Sequence, residues 1–321
     1  MIPQEEIQFK VARDFGETFN ISVKFIRQNF TSYFLCMLLL AGPFVLLYSI
    51  SYAHYESVIQ YKQSLYRAGR LYSFSKYGWE YFLSIVLNFI STLAVICTSL
   101  AYIVVYSEKG RNNFGATDVM KKMNSVLGKI IGGFLLYGFL VTIFVVAICF
   151  VVVMIIDAST VLGILICVVL FFAALIVLPN ISWQMSTAFL VIIHEEEIPV
   201  SAYGRTREVM KDNYWWTWLV AVCSSLMFIF IALMFMIPEF VYMFIVNVST
   251  GDEASESSIL YIVVSTVCTF CATLVYSMNY IVTGFHYFSL VEKKDGQGLM
   301  LQINNIGKAE PASENIRNPK T

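Results

Sequence analysis

Few residues in this chain have the type and spacing that chemistry needs, and most of them fall inside apolar runs. Cys268 and Cys271 form a C-x-x-C pair, the spacing of a dithiol or a metal clip. Thr266, Thr269 and Thr273 flank them in an uncharged run where a thiolate is costly to form, so small residues that let helices approach closely are the better account. His194 with Glu195, Glu196 and Glu197 ends one apolar run, and His286 ends another. Nitrogen and carboxylate ligands could meet there, yet the spacing matches neither H-E-x-x-H nor any other metal motif. Solvated helix ends explain them, and no catalytic residue, metal or cofactor is assigned. His54 is expected on the far side of the membrane and could not join such a cluster.

Glu239, beside Pro238, and Asp157 are ionisable groups at membrane depth or its edge. A carboxylate truly buried in a membrane is by default a proton or ion ligand, but both residues lie near the ends of apolar runs, where water is within reach. Asn88, Asn180, Gln184, Ser224, Ser225 and Asn279 are uncharged polar groups in or near the same runs. Pro179 frees backbone groups beside Asn180, so Pro179, Asn180 and Glu239 are the candidate lining of a cavity or transport path. Interhelical hydrogen bonds explain the same residues equally well. Arg205, Arg207 and Lys211, with Lys121 and Lys122, are candidates for lipid headgroup contact, worth about 1 kcal/mol per basic residue at an anionic leaflet.

The elements that must position these groups belong to a membrane protein. The 321 residues are 58% hydrophobic and only 13% charged, with a mean hydropathy of +0.70, too apolar for a soluble surface. A net charge of -1 argues against a nucleic-acid partner. All seven cysteines fall in apolar runs, where they act as small hydrophobes and not as a disulfide framework. The first apolar run starts only near Tyr33 and is long enough to span, so a cleavable signal peptide is not expected.

Six spans are expected: 33–52, kinked at Gly42 and Pro43; 80–106; 130–156; 161–193, interrupted at Pro179–Gln184; 216–236; and 259–285. In the second, Asn88, Ser91, Thr92, Thr98 and Ser99 are expected to face other helices. Residues 53–79, rich in tyrosine, read as the longest internal loop. Three amphipathic helices precede pairs of spans. In the first, Val11, Phe15, Phe19, Val23, Ile26 and Phe30 share a face; in the second, Val119, Met123, Val126 and Ile130; in the third, Ala202, Tyr203, Thr206, Val209 and Met210. Tyr214, Trp215 and Trp216 then form an aromatic belt at the entry to the fifth span.

The expected fold is thus an all-α membrane protein with six transmembrane helices and three interfacial amphipathic helices on the cytoplasmic side. The membrane domain covers 1–290 in three units, each an amphipathic helix plus a hairpin, at 1–106, 107–193 and 194–290. A cytoplasmic tail, 291–321, is expected to be largely disordered. Of the 21 Lys and Arg residues, all but Lys62, Arg67, Arg70 and Lys76 fall on one side of this layout. By the positive-inside rule that side, with both termini, is cytoplasmic.

The segment SAYGRTREVMKDNYWW resembles a signature of bacterial six-span proteins. These are the membrane domain attached to some glycerophosphodiester phosphodiesterases, and its stand-alone relatives. A proline-containing fourth helix there precedes an Ala-x-x-x-Arg-Ser-like helix and an Asn-aromatic-aromatic entry to span five. Pro179, Ala202, Arg205, Thr206, Asn213, Tyr214 and Trp215 correspond, with Thr206 where Ser is usual and Ala202 one residue closer to Arg205 than in that pattern. The stretch YFSLVEKKDGQGLMLQINNIG is similar to the tail of such stand-alone proteins from the Bacteroidota. The resemblance implies a bacterial inner-membrane protein. It also implies that hydrolysis would belong to a separate soluble barrel, which is not expected within these residues. The leading functional expectation is a non-enzymatic accessory or scaffold acting through membrane lipids or a membrane protein partner. The alternative is a small transporter or lipid-handling protein with a cavity near Pro179 and Glu239.

Overall fold

A computed structural model describes residues 7–67, 69, 70, 73, 75–158, 160–250, 259–296 and 300, with side chains for all of these except 154–158, 160, 162 and 247–250. Every regular element among the described residues is helical. They are α1 (Phe15–Leu40), α2 (Gly42–Arg67), α3 (Trp79–Lys109), α4 (Ala116–Ala158), α5 (Thr160–His194), α6 (Pro199–Met210), α7 (Tyr214–Thr250), α8 (Ile259–Tyr276) and α9 (Asn279–Asp295). A 3-10 turn, Lys211–Asn213, joins α6 to α7. Five helical stretches are long and apolar enough to cross a membrane, or six if the bent pair α1–α2 counts as one span.

The amino-terminal layout differs from expectation. Residues 9–14 are not helical; α1 starts at Phe15, where Asp14 and Glu17 form a capping box. The helix then runs without a break through the expected boundary near residue 31. It ends at Ala41, and α2 leaves at 64°. Pro43, in the first turn of α2, has no N–H to donate back to α1, so the chain turns there. The expected loop at 53–79 is helix as far as Arg67: Val45, Ser49, Ala53 and Ser57 are buried at a helical spacing that extends past the apolar run.

Three further breaks are absent. The second amphipathic segment and the third span are one 43-residue helix, α4, about 65 Å long and roughly twice a bilayer core. Helix α5 continues through Pro179, and α7 through Pro238. Conversely, the last span is divided at Ser277–Met278, and α9 carries helix to Asp295, five residues into the expected tail. The expected tail beyond residue 300, and the acidic segment 251–258, lie outside the described residues.

The buried stripe of α1 is Thr18, Ser22, Phe25, Asn29, Tyr33 and Cys36, while Val23 and Phe30 from the expected apolar face are exposed. Small and polar residues inward with bulky apolar ones outward is the logic of helices packing in lipid. The other two amphipathic faces turn toward protein: Val119, Val126 and Ile130 of α4 are buried, as are Ala202, Thr206, Val209 and Met210 of α6, whereas Tyr203 is exposed. Among the polar residues of α3, Ser91, Thr98 and Ser99 are buried as expected, but Asn88 is exposed and takes a hydrogen bond from Thr92. Phe9, ahead of α1, stacks on Phe285 with ring centroids 4.9 Å apart, so the amino-terminal segment is wedged into the core.

Candidate functional site

Glu239 follows Pro238 in α7 and is only 6% exposed. Its Oε1 accepts hydrogen bonds from Ser265 Oγ at 2.8 Å and from the Tyr261 hydroxyl at 3.1 Å, both on α8. Its Oε2 is buried with no hydrogen-bond partner among the described residues. Ser265 and Tyr261 lie four residues apart, one helical turn, and both reach the same oxygen from a helix that packs along α7.

The third wall is α2. Tyr52, Glu56 and Gln60 recur at one-turn spacing on α2, and the Tyr52 hydroxyl and the Glu56 carboxylate lie within electrostatic reach of each other and of Glu239. The Gln60 amide lies beside the Tyr261 hydroxyl. Ser57, next to Glu56, is 2% exposed and its Oγ has no partner among the described residues. The Tyr242 ring sits 5.9 Å from that of Tyr261. Glu239 comes 25 residues after Tyr214, about 37 Å along a straight helix and beyond a core of about 30 Å. The cluster therefore lies toward the end of α7 opposite Tyr214–Trp216, farther from them than a bilayer core is thick.

The residues expected with Glu239 make their hydrogen bonds to other partners. Asn180 is buried, but its Oδ1 accepts from Gln184 one turn on in α5, and Gln184 accepts from Tyr203 of α6. Asn180 Nδ2, Trp183 Nε1 and Thr187 Oγ1 are buried on one face of α5 without hydrogen-bond partners among the described residues. Near them His286 pairs with Thr217 Oγ1 at 3.0 Å, its ring 6.2 Å from Trp183. The polar bonds of Pro179's neighbour thus run within α5 and toward α6, while those of Glu239 run to α8. Ser225 and Asn279 are linked at 3.5 Å across α7 and α9, and Ser224 bonds back to Ala221 within α7.

At the opposite end, His194 packs against Phe288 and not against His286. A cavity of about 210 Å³ lies there, lined in part by Lys10, His194, Glu195, Arg205, Tyr287 and Asp295. Its charges are matched internally. Tyr287 donates to Glu195 at 2.5 Å, Arg205 pairs with Asp295 and, at 3.8 Å, with Glu195, and Lys294 bonds Glu208 at 2.6 Å. Lys294 holds the exposed Glu208 carboxyl below its usual range. Lys122 is shared between Glu108 and Glu196 at 3.2 and 3.3 Å.

Of the residues expected at lipid headgroups, some carry ion pairs within the chain and some are exposed. Arg205 and Lys122 are occupied by carboxylates of the chain itself, whereas Lys121, Arg207 and Lys211 are exposed. The side chain of Asp157 lies outside the described residues. Cys268 and Cys271 are free thiols, one buried and one half-buried. No group of three or more His, Cys, Asp or Glu among the described residues is placed to hold a metal.

Sequence reasoning missed Glu56, Tyr52, Tyr261 and Ser265. For the first two a signal existed in the i, i+4, i+8 recurrence of Tyr52, Glu56 and Gln60, hidden by reading 53–79 as a loop. The arrangement presents a buried carboxylate oxygen, with two hydroxyl donors on its twin, within electrostatic reach of a second carboxylate. Chemically, that can hold a proton or a cation.

Fold and site together define an all-helical protein with several helices able to cross a membrane and a buried acidic cluster. No family model, curated protein or solved structure matches the chain.

Proposed function

We propose that this chain is a small transport or lipid-handling protein of the bacterial cytoplasmic membrane, non-enzymatic, whose work turns on Glu239. Six crossings, counting α1–α2 as one, put both termini on the cytoplasmic face with the Lys- and Arg-rich helix ends. Parts of α1, α4 and α6 lie at that interface, with exposed Lys121, Arg207 and Lys211 toward anionic headgroups. The resemblance of SAYGRTREVMKDNYWW to the six-span membrane domains of phosphodiesterases supports the same placement.

One observation carries the functional reading: Glu239 is buried between helices with one carboxylate oxygen unpartnered among the described residues. An ionisable group at such depth is expensive and is kept for binding or moving charge. Structural packing alone is served as well by Gln, which keeps the acceptor for Ser265 and Tyr261 and loses only the charge.

Gentle detergent extraction followed by native mass spectrometry tests this. The wild-type chain is expected to retain a bound lipid or solute, and Glu239→Gln to lose it while keeping the same elution volume. Equal loading of both proteins, or two bare proteins, would overturn the reading. Stoichiometric recovery of a partner subunit, unaffected by Glu239→Gln, would replace it with the accessory or scaffold class.

A further inference from the structure

We propose that Glu239 and Glu56, completed by neutral oxygens of the α2–α7–α8 cluster, form a binding site for a hard divalent cation of the calcium type. This rests on Glu239 as the working group and deepens that reading by naming a ligand class.

The donor set argues for the class. Two carboxylates supply a charge of the size and sign that a divalent ion offsets, and the neutral oxygens around them are the hydroxyls of Tyr52, Tyr261 and Ser265. Such a set of oxygens suits calcium, which accepts six to eight ligands, waters included, in irregular arrangements; zinc and copper favour imidazole and thiolate. Cys268 lies one turn beyond Ser265 in the field of Glu239, but a thiol in an apolar helix core adds no hard ligand. His54, on α2, is exposed, and Lys76, whose field reaches Glu56, is exposed as well.

An independent observation points to the ligand. Glu239 is more than nine-tenths buried, and its Oε2 has no hydrogen-bond partner among the described residues. The two donors on Oε1 turn Glu239 so that Oε2 is the oxygen left for a positive partner. Location makes the site reachable: it lies near the boundary opposite the basic helix ends, where Glu56 is half-exposed and an ion can enter from water.

The test is thermal unfolding of the full chain in mild detergent, stripped with a chelator and titrated with CaCl2, MgCl2 or NaCl at constant ionic strength. Calcium is expected to raise the midpoint saturably, at lower concentration than magnesium, with sodium inert. Glu239→Gln and Glu56→Gln should each weaken the calcium response by about tenfold or more, since losing even an outer-shell partner costs about 10–100-fold. No calcium response in the wild type, or the same response in both variants, overturns the proposal. A response lost in Glu239→Gln but kept in Glu56→Gln also overturns it, because one carboxylate then suffices. If Glu239→Gln does not fold, the wild-type isotherm and the half-exposed Glu56→Gln decide. Failure here with a solute still retained through Glu239 in native mass spectrometry removes the cation and leaves the transport reading standing. The converse pair of results removes the solute and leaves the cation.

Discussion

Tyr33 ties three helical elements together at a single atom. Its hydroxyl lies 3.0 Å from Ser99 Oγ of α3 and 2.9 Å from Ser277 Oγ at the break between α8 and α9. The ring is buried edge-on to Tyr102 at 5.3 Å, so the hydroxyl has no other use than to join these partners. Tyr33→Phe keeps the packing and leaves two serines to bond within their own helices, as Ser99 already does to Val95 O and Ser277 to Leu274 O. The expected cost is therefore modest, about 1 kcal/mol, in line with hydrogen bonds between membrane helices. A detergent unfolding titration that found no loss would show that the node adds nothing beyond its ring. At this scale the sequence was half legible. Glu239 stands out as a lone acid beside a proline in an apolar run, but Tyr33 does not, because an interfacial tyrosine and a buried one look alike without the partners. Ser99 and Ser277 are 66 and 244 residues away, a pairing no local pattern reports.

Helices α3 and α9 meet where one of them has no side chain. A Cβ on Gly284 would stand 2.8 Å from Ile103 Cδ1 and 3.1 Å from its Cγ2. Both residues are completely or almost completely buried, so Ile103 has little room to yield. Gly284→Val is expected to destabilise the chain by about 1–3 kcal/mol through overpacking. Adding Ile103→Ala should recover most of that loss, which distinguishes a local clash from a general intolerance of α9. Unfolding of the two single variants and the double variant closes the cycle; additive losses would sink the close-approach account. Element types were legible from apolar runs, and element ends were not. The break expected near residue 31 is absent because Phe30 and Tyr33 continue the same helical turns, while Pro43 imposes the actual one. The expected end of α4's first segment at Lys129 marks a change of solvent and not of backbone: Val126 and Ile130 share one buried stripe across it.

Across the whole molecule, polarity is distributed by end. Lys109 with Asp118, Lys122 with Glu108 and Glu196, Arg205 with Glu195 and Asp295, and Lys294 with Glu208 draw together α6, the first turns of α4, the last turns of α3 and α9 and the residues that follow α5. Away from that end, α4 and α5 form a hairpin with almost none of their most apolar stretches buried, and Leu135, Phe139, Phe150, Phe171 and Phe172 are all exposed. A pair of helices apolar on every side is stable only in a non-aqueous surround, so the hairpin fixes which part of the molecule faces lipid. Charge at one end and bare hydrocarbon beyond it, with the six crossings proposed above, predict a topology. Lys121 of α4 and Arg207 of α6 belong on the same side, and Lys76, between α2 and α3, on the other. Single cysteines at these exposed positions, in a chain whose seven native cysteines are replaced, report this with a membrane-impermeant maleimide on spheroplasts. Lys76→Cys is expected to label from outside, and Lys121→Cys and Arg207→Cys only after permeabilisation. Labelling of Lys121→Cys and Arg207→Cys from opposite sides would contradict the ion-pair network itself, because Lys122 and Glu196 could not then be partners. Labelling of all three from one side would instead require that α3 fail to cross, and the acidic cluster would lose its place at the far boundary.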